Sequence, residues 1–191
     1  MHKQDIRKAL KEKLNSLSPE KKEIKQQKIF SRLSPLIHSL TFLDLLSNEF
    51  CAGLFAPLAD EVNCVDFKEW KIISFPSFST EDSMTFKKCS YEDLKESDEF
   101  GVKLLCPPQA SEDVVPELLI VPGLGFTKSG ERLGRGKGFY DRFLDNYQGI
   151  KIALVFEEQL LEELPLEEHD INVDYVVSEK GVWKQGEALK L

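Results

Sequence analysis

The sequence lacks several features that would place it in a specialised class of protein. Its 191 residues contain four cysteines, at positions 51, 64, 89 and 106, with neither C-x-x-C pairs nor zinc-finger spacing. No apolar run approaches the length of a membrane span. The first residues, Met-His-Lys-Gln-Asp, do not form the apolar segment of a secretory leader. We therefore expect free thiols in a cytoplasmic protein that has no membrane partner.

Negative charge outnumbers positive charge in this sequence. Lys and Arg total 25 against 33 Asp and Glu, so the net charge is −8, which argues against a nucleic-acid partner held by general electrostatics. The hydrophobic content of 41% and the charged content of 30% are ordinary for a globular protein. The length fits one domain over residues 1–191 with a core of its own. We expect that domain to act as a monomer.

Against this acidic background, glycines and cations alternate in one stretch. Residues 118–121 are apolar and predict a buried strand that ends at Pro122-Gly123. Residues 132–142 then read Arg-Leu-Gly-Arg-Gly-Lys-Gly-Phe-Tyr-Asp-Arg. Glycines let backbone N–H groups approach an anion, interleaved cations supply charge, and a helix beginning at Phe139 would add its dipole. The stretch predicts a polyphosphate site, with Asp141 behind it as a candidate magnesium ligand.

The established phosphate motifs do not match this stretch. Lys137 is followed by Gly138 and not by the Ser or Thr of a P-loop. Roughly a dozen residues separate Val121 from Gly134, too many for a dinucleotide fingerprint. The plainer interpretation is a solvated loop with incidental cations. The density of glycines and cations favours the anion site.

Together with Pro122-Gly-Leu-Gly-Phe126, the stretch resembles the signature of the 5-formyltetrahydrofolate cyclo-ligase (methenyltetrahydrofolate synthetase) family. That family usually has Tyr-Tyr-Asp where this chain has Phe139-Tyr140-Asp141. The resemblance covers nearly the whole chain. It implies ATP- and Mg²⁺-dependent conversion of 5-formyltetrahydrofolate to 5,10-methenyltetrahydrofolate, through a phosphorylated formyl group, with release of ADP and phosphate.

The resemblance also implies roles for particular residues. ATP would contact two amino-terminal cations and the loop: Lys3, Arg7, Arg132, Leu133, Gly134, Arg135, Gly136, Lys137, Gly138, Phe139 and Tyr140. The folate would contact Ala56, Glu61, Arg135, Gly136, Lys137, Gly138 and Phe139. The catalytic cations would be Arg132, Arg135 and Lys137. Magnesium would bind Asp141 and Asp174, the latter ending a His-Asp-x-x-Val-Asp pattern that begins at His169.

From the residues alone, three of these sites have plainer interpretations. Lys3 and Arg7 are one helical turn apart and would be two solvated cations. Glu61 would be a helix-start carboxylate, although it follows the first predicted strand, where open α/β sheets place ligands. Asp174 would be a turn residue ahead of a strand. The resemblance favours function at each position, and for Glu61 the place at the end of the first strand agrees with it.

The order of elements predicts a single-domain α/β fold with a mostly parallel central sheet. The resemblance implies three α/β/α layers, as in sugar-phosphate isomerases and coenzyme A transferases. We expect helices over 3–17, 139–146 and 157–164, and one from Pro19, capped by Ser18, with a restart or kink at Pro35. The predicted strands are 51–56, 72–75 ended by Pro76, 84–86 on the edge, 118–121, 151–156 and 175–177. Residues 91–99 predict a surface turn or short helix.

One alternative function stays open at this point. A non-catalytic regulator that binds a nucleotide or a sugar phosphate would keep the glycine loop but would need neither Glu61 nor the two aspartates. A coenzyme A transferase or isomerase is disfavoured because the sequence has no glutamate nucleophile signature.

Overall fold

The computed structural model describes residues 2–80, 83–99, 101–165 and 171–191. Its helices are α1 (Lys3–Asn15), α2 (Pro19–Phe42) and α3 (Phe139–Asp145), and short 3-10 helices cover Cys64–Asp66, Tyr91–Asp93 and Glu157–Gln159. The strands are β1 (Cys51–Gly53), β2 (Ile72–Thr80), β3 (Ser83–Lys88), β4 (Lys95–Glu99), β5 (Val102–Cys106), β6 (Asp113–Val114), β7 (Leu118–Ile120), β8 (Gly125–Thr127), β9 (Arg132–Leu133), β10 (Ile150–Leu154), β11 (Leu160–Leu161), β12 (Tyr175–Ser178), β13 (Gly181–Lys184) and β14 (Glu187–Leu189).

A mixed sheet forms the centre of the described part of the chain. Its strand order is β14-β13-β12-β10-β7-β1-β2-β3-β6. The five middle strands, from β12 to β2, are parallel, whereas both edges are antiparallel. Because the middle strands are parallel, the segments that follow β1 and β7 both start at the carboxyl ends of the strands. The glycine loop and Glu61 lie at that end of the sheet.

Both faces of the parallel strands are buried, as their nearly continuous apolar sequences require. Alternate residues of β7, such as Leu118 and Ile120, pack with α2 in one core. Their neighbours Leu119 and Val121 pack with α3 and with Phe126 of β8 in a second core. The predicted α/β fold with helices on both faces of a central sheet is thus confirmed.

The hairpin of β8 and β9 carries the polypeptide from the Pro122-Gly123 turn to the glycine loop. β9 pairs antiparallel with β8, and β8 pairs on its other side with β11. Leu10 of α1 packs against this hairpin in a small apolar cluster with Leu124 and Leu133. Helix α1 is therefore fixed next to the loop that follows β9.

The prediction that Pro76 ends the second strand is wrong, because β2 continues to Thr80. The backbone carbonyl of Ser74 accepts from Leu54 N–H at 2.8 Å. The backbone N and C=O groups of residues 74 and 76 therefore both point toward β1. β1 ends at Gly53, so the missing N–H of Pro76 costs no ladder hydrogen bond there. On its other side β2 stays paired with β3, which is an inner strand because β6 covers it.

Other predicted boundaries also change. Helix α2 runs through Pro35 without a restart, since Leu33, Leu36 and Ile37 on both sides of it are buried in one core. Residues 91–99 form a 3-10 helix and then strand β4, which pairs with β5 in a charged hairpin. The edge hairpin of β13 and β14 was not predicted.

The prediction of a helix over 157–164 is also wrong. The structure has one 3-10 turn, Glu157–Gln159, followed by β11. The Gln159 side chain accepts from Phe156 N–H at 2.9 Å, and Leu160 and Leu161 then pair with β8. The leucine spacing in so short a run does not distinguish a helix from a strand.

The described cysteines are free, as expected, and Cys64 is fully buried, which raises the pKa of its thiol to about 12. Within the described ranges, no helix combines the length and apolar character that crossing a membrane requires.

A partly buried ion-pair network joins α2 to the segments that follow β10 and β12. Lys25 Nζ contacts Glu158 at 2.8 Å and also pairs with Glu179, whose second oxygen accepts from Glu157 N–H at 3.0 Å. Glu179 is buried, so the loss of Lys25 would leave a carboxylate without its cation.

We expect Lys25→Met to lower the free energy of unfolding by about 2 kcal/mol, less than the ~3–5 kcal/mol of a fully buried pair because Lys25 keeps some exposure. Exposed Lys28, one turn away on α2, is the matched control: Lys28→Met removes the same charge and should change stability by less than about 0.5 kcal/mol. Urea denaturation of both variants measures the difference, and equal losses would show that the network adds nothing specific.

Candidate active site

The turn after β7 is held in place by a buried glutamine. Gln159 Nε2 donates to the Gly123 carbonyl at 3.0 Å, and a Cβ on Gly123 would lie 2.6 Å from the Phe126 ring. Leu124 N–H donates to Leu133 O at 2.8 Å, which starts the hairpin. The Pro-Gly-Leu-Gly-Phe segment is thus a rigid support that directs the chain into the loop.

The glycine loop itself spans residues 134–138. Gly136 and Gly138 have φ of 102° and 73°, in the left-handed region that favours glycine. Gly138 is also the N-cap residue of α3. Arg7 Nε of α1 donates to the Gly134 carbonyl at 2.9 Å, so this predicted ATP contact does lie at the loop. Lys3 begins the same helix one turn earlier.

The three predicted catalytic cations occupy different environments. Arg132 is buried, donates from Nη1 to the Pro122 carbonyl at 3.2 Å and pairs through Nη2 with Asp141. Its Nε is buried without a hydrogen-bond partner among the described residues. Lys137 is exposed. Arg132 therefore supports the loop, whereas Lys137 is open to solvent and to a ligand.

The third cation, Arg135, reaches back to the segment after β1. Its Nε donates to Glu61 Oε1 at 3.0 Å, and its Nη2 donates to Asp60 Oδ1 at 2.7 Å. Burial raises the pKa of Glu61, and Arg135 only partly offsets that effect. The structure thus joins the predicted folate carboxylate to the predicted phosphate loop, across 74 residues of sequence.

The aromatic pair at the start of α3 lies in the same region. The Phe139 ring packs on Phe78 of β2 with centroids 4.9 Å apart. The Tyr140 hydroxyl is buried and has no hydrogen-bond partner in the described structure. Burial raises its pKa, and the charges of Glu61 and Arg132 are close enough to act on it. A buried hydroxyl without a partner is uncommon in folded proteins, so this one is available to a polar atom of a water or a ligand.

The two predicted magnesium ligands are not brought together. Asp141 lies next to Arg132 and hence near the residues that follow β7. Asp174 precedes β12, where its carboxylate accepts from Lys151 N–H at 2.8 Å and lies 3.2 Å from Lys151 Nζ. That is the amino end of the parallel strands, the opposite end from the glycine loop. Within the described ranges, no three Asp, Glu, His or Cys side chains converge as a metal centre would need.

The remaining predicted contacts are near the site or support it. Ala56 is partly buried in the segment after β1, three residues beyond the end of that strand. Leu133 is buried in β9 and packs against Leu10, so its side chain serves the core. The His169-Asp170 part of the predicted pattern lies outside the described residues.

Sequence reasoning missed two residues at the site. Asp60 binds Arg135 alongside Glu61, and its position after the first strand is a signal that could have included it. Gln159 supports the Gly123 carbonyl, but nothing in its sequence context distinguishes it from a surface glutamine.

A model of the 5-formyltetrahydrofolate cyclo-ligase family matches residues 54–179, which include the carboxylates after β1 and the whole glycine loop. The chain belongs to this family.

Named relatives agree with that assignment. The chain is similar to the mouse 5-formyltetrahydrofolate cyclo-ligase, with 48% identity over 69 residues, covering 33% of this chain and 34% of the relative. It is 40% identical over 90 residues to the Escherichia coli K12 5-formyltetrahydrofolate cyclo-ligase, covering 44% of this chain and 50% of the relative. The matched segments thus span a third to a half of these relatives.

The fold extends the similarity over the full chain. The solution structure of Aquifex aeolicus 5,10-methenyltetrahydrofolate synthetase superposes with a TM-score of 0.77 and 28% identity, covering 100% of this chain and 96% of that one. A methenyltetrahydrofolate synthetase from Mycoplasma pneumoniae, at 23% identity and a TM-score of 0.69, has the same fold.

The Tyr140 hydroxyl gives a test of whether this site carries unpaired polar groups. We expect Tyr140→Phe to leave the free energy of unfolding unchanged or to raise it by up to about 1 kcal/mol, because the hydroxyl is buried without a partner. Urea denaturation of both proteins is the measurement. A loss of more than about 1 kcal/mol would mean that the hydroxyl has a partner in the folded protein.

Proposed function

We propose that the protein is an ATP-dependent 5-formyltetrahydrofolate cyclo-ligase, which forms 5,10-methenyltetrahydrofolate, ADP and phosphate. Membership of the family supports this reaction. The observation that carries it is the contact of Arg135 with Glu61, which puts a phosphate-binding loop and a buried carboxylate in one site.

The reaction needs an activated oxygen and a nearby nucleophile. The oxygen of the formyl group on N5 attacks the γ-phosphorus of ATP. The bond between that phosphorus and the oxygen bridging the β- and γ-phosphates breaks, which releases ADP. N10 of the same folate then attacks the formyl carbon, N10 loses its proton, and phosphate leaves with the former formyl oxygen. The product is the cationic five-membered methenyl ring. Because both nucleophiles belong to the substrate, the protein supplies positioning and charge rather than a nucleophile.

The site residues suit those tasks. Lys137 and Arg135 are the cations available to neutralise the transferring phosphoryl group, and Arg7 is placed at the same loop. Glu61 is the acceptor for the row of N–H donors on the pterin ring. Tyr140 has an unused hydroxyl for a polar atom of either ligand. Arg132, bonded to Pro122 and Asp141, keeps the loop in position.

Magnesium would accompany ATP, as it does in most phosphoryl transfers. Asp141 fits such a role, because it lies near the loop with 41% of its side chain exposed. Asp174 does not fit the same ion in this arrangement, since it is held by Lys151 at the far end of the strands.

Composition supports three further parts of this proposal. The acidic net charge and the absence of long apolar runs favour a cytoplasmic protein that acts on small molecules, without a nucleic-acid partner. A monomeric state remains a prediction from the sequence.

The direct test is a spectrophotometric assay for the methenyl product, started from 5-formyltetrahydrofolate with and without ATP and magnesium. The proposal expects product only when ATP is present, with ADP formed in equal amount. ATP binding without product or ADP would favour the non-catalytic regulator instead.

Lys137→Ala should lower kcat by about a hundredfold or more, while folate affinity changes little. The loss of one donor to a developing charge typically costs about 2.7–4 kcal/mol of transition-state energy. Lys128→Ala removes the same charge from the turn between β8 and β9 and is the control. Unchanged turnover in the Lys137 variant would mean that this lysine does not act on the transferred group.

Asp141→Asn should raise the magnesium concentration needed for half-maximal rate, whereas Asp174→Asn should leave it unchanged. The reason is position, since only Asp141 lies near the loop. Magnesium titrations of the two single variants and the double variant decide between the alternatives. If the two shifts are large and sub-additive, both aspartates act on one ion, as the family resemblance implied.

A further inference from the structure

The Arg135 guanidinium is held between two carboxylates, although one would neutralise it. Its Nη2 lies 2.7 Å from Asp60 Oδ1 and 2.9 Å from Glu61 Oε1. The side chains of Asp60 and Glu61 are 13% and 6% exposed. Burial alone would lower the pKa of Arg135, but the two carboxylates together raise it. Two buried anions around one cation imply that one of them is kept for a second task.

Glu61 Oε1 has no free lone pair while Arg135 is bound to it. It accepts from Arg135 Nε at 3.0 Å and lies 2.9 Å from Arg135 Nη2, whereas Oε2 accepts one bond, from Leu58 N–H at 2.9 Å. The Leu58 bond closes the local turn that presents the glutamate. A ligand whose paired N–H donors use both oxygens must therefore replace Arg135 on Oε1.

If Glu61 gives up Arg135, the guanidinium needs another partner. A largely buried cation that loses its only anion is strongly destabilised. Asp60 prevents that, because its bond to Nη2 does not involve the Nε that Glu61 releases. A guanidinium has five N–H donors, so it can keep Asp60 and also bind a phosphate oxygen.

We propose that Asp60 is a positioning residue, which keeps Arg135 in the site while Glu61 exchanges Arg135 for the folate. The exchange couples the two ligands: a nucleotide phosphate on Arg135 frees Glu61, and a folate on Glu61 frees Arg135. This inference rests on the proposed function, since it needs both a folate and a nucleotide in one site. Because coupling between binding sites is reciprocal, each ligand tightens the other by the same factor.

The test is the dissociation constant of 5-formyltetrahydrofolate, measured by calorimetry with and without a non-hydrolysable ATP analogue. In the wild type the analogue should tighten folate binding by a factor of about 5 to 150. Asp60→Asn keeps the shape and an acceptor oxygen but removes the charge. Without the analogue this variant should bind folate at least about tenfold more weakly, and with the analogue it should come within about twofold of the wild type.

Two variants complete the experiment. Arg135→Gln should bind folate with the same affinity whether or not the analogue is present, because the exchanged cation is gone. Lys128→Ala also removes a cation, but Lys128 lies in the turn between β8 and β9, and the described contacts do not join it to either carboxylate. It should retain the wild-type effect of the analogue on folate binding.

Three results would overturn the inference. The first is a wild type that binds folate with the same affinity with and without the analogue. The second is an Asp60→Asn variant whose loss of folate affinity is equally large with and without the analogue. The third is an Arg135→Gln variant in which the analogue still tightens folate binding. The last decides the matter even if Asp60→Asn fails to fold, which circular dichroism would show. A wild type that binds neither ligand would instead refute the proposed function, on which the inference depends.

Discussion

The parallel pairing of β1 with β7 is the contact on which the site depends. Ala52 pairs with Leu118 and Gly53 with Leu119, so two segments far apart in sequence leave the sheet side by side. One carries Asp60 and Glu61, and the other leads through the Pro122-Gly123 turn to Arg135. The short strands suffice because both faces are buried, with Leu118 in one core and Leu119 in the other.

The acidic charge of the chain makes the local arrangement of cations decisive. With a net charge of −8, the protein has no general attraction for a polyanion. Arg132 is buried and pairs with Asp141, Arg135 lies between two carboxylates, and Lys137 is exposed to solvent. Three cations that look equivalent in the sequence thus lie in three different environments. The glycines between them supply the turns that send successive side chains in different directions.

Much of this arrangement could be predicted from the sequence, because the signals are local. Ser18 and Pro19 mark the start of α2, and the apolar run at 118–121 marks β7. The failures are tertiary. Pro76 lies within β2 only because β1 ends early, and Leu160 becomes a strand residue only because β8 is beside it. Asp174 is a different case: its position ahead of a predicted strand already puts it at the amino end of a parallel sheet, and only the family resemblance implied that it shares an ion with Asp141.

Two buried polar groups of the site, the Glu61 carboxylate and the Tyr140 hydroxyl, lower the stability of the folded protein. Burial raises the pKa of Glu61, so ionising this carboxylate costs more free energy in the folded protein than in the unfolded chain. A group with a raised folded pKa contributes its stabilisation in full below its unfolded pKa and loses it as the pH rises through the folded value. For Glu61 the folded state is therefore favoured in acid and bears the cost of the charge at neutral pH. Tyr140 adds a buried hydroxyl without a described partner. Both groups lower the stability of the protein, and under the proposed function a ligand would supply donors to Glu61 and a partner to Tyr140, which is why a site for binding and a maximum of stability do not coincide here.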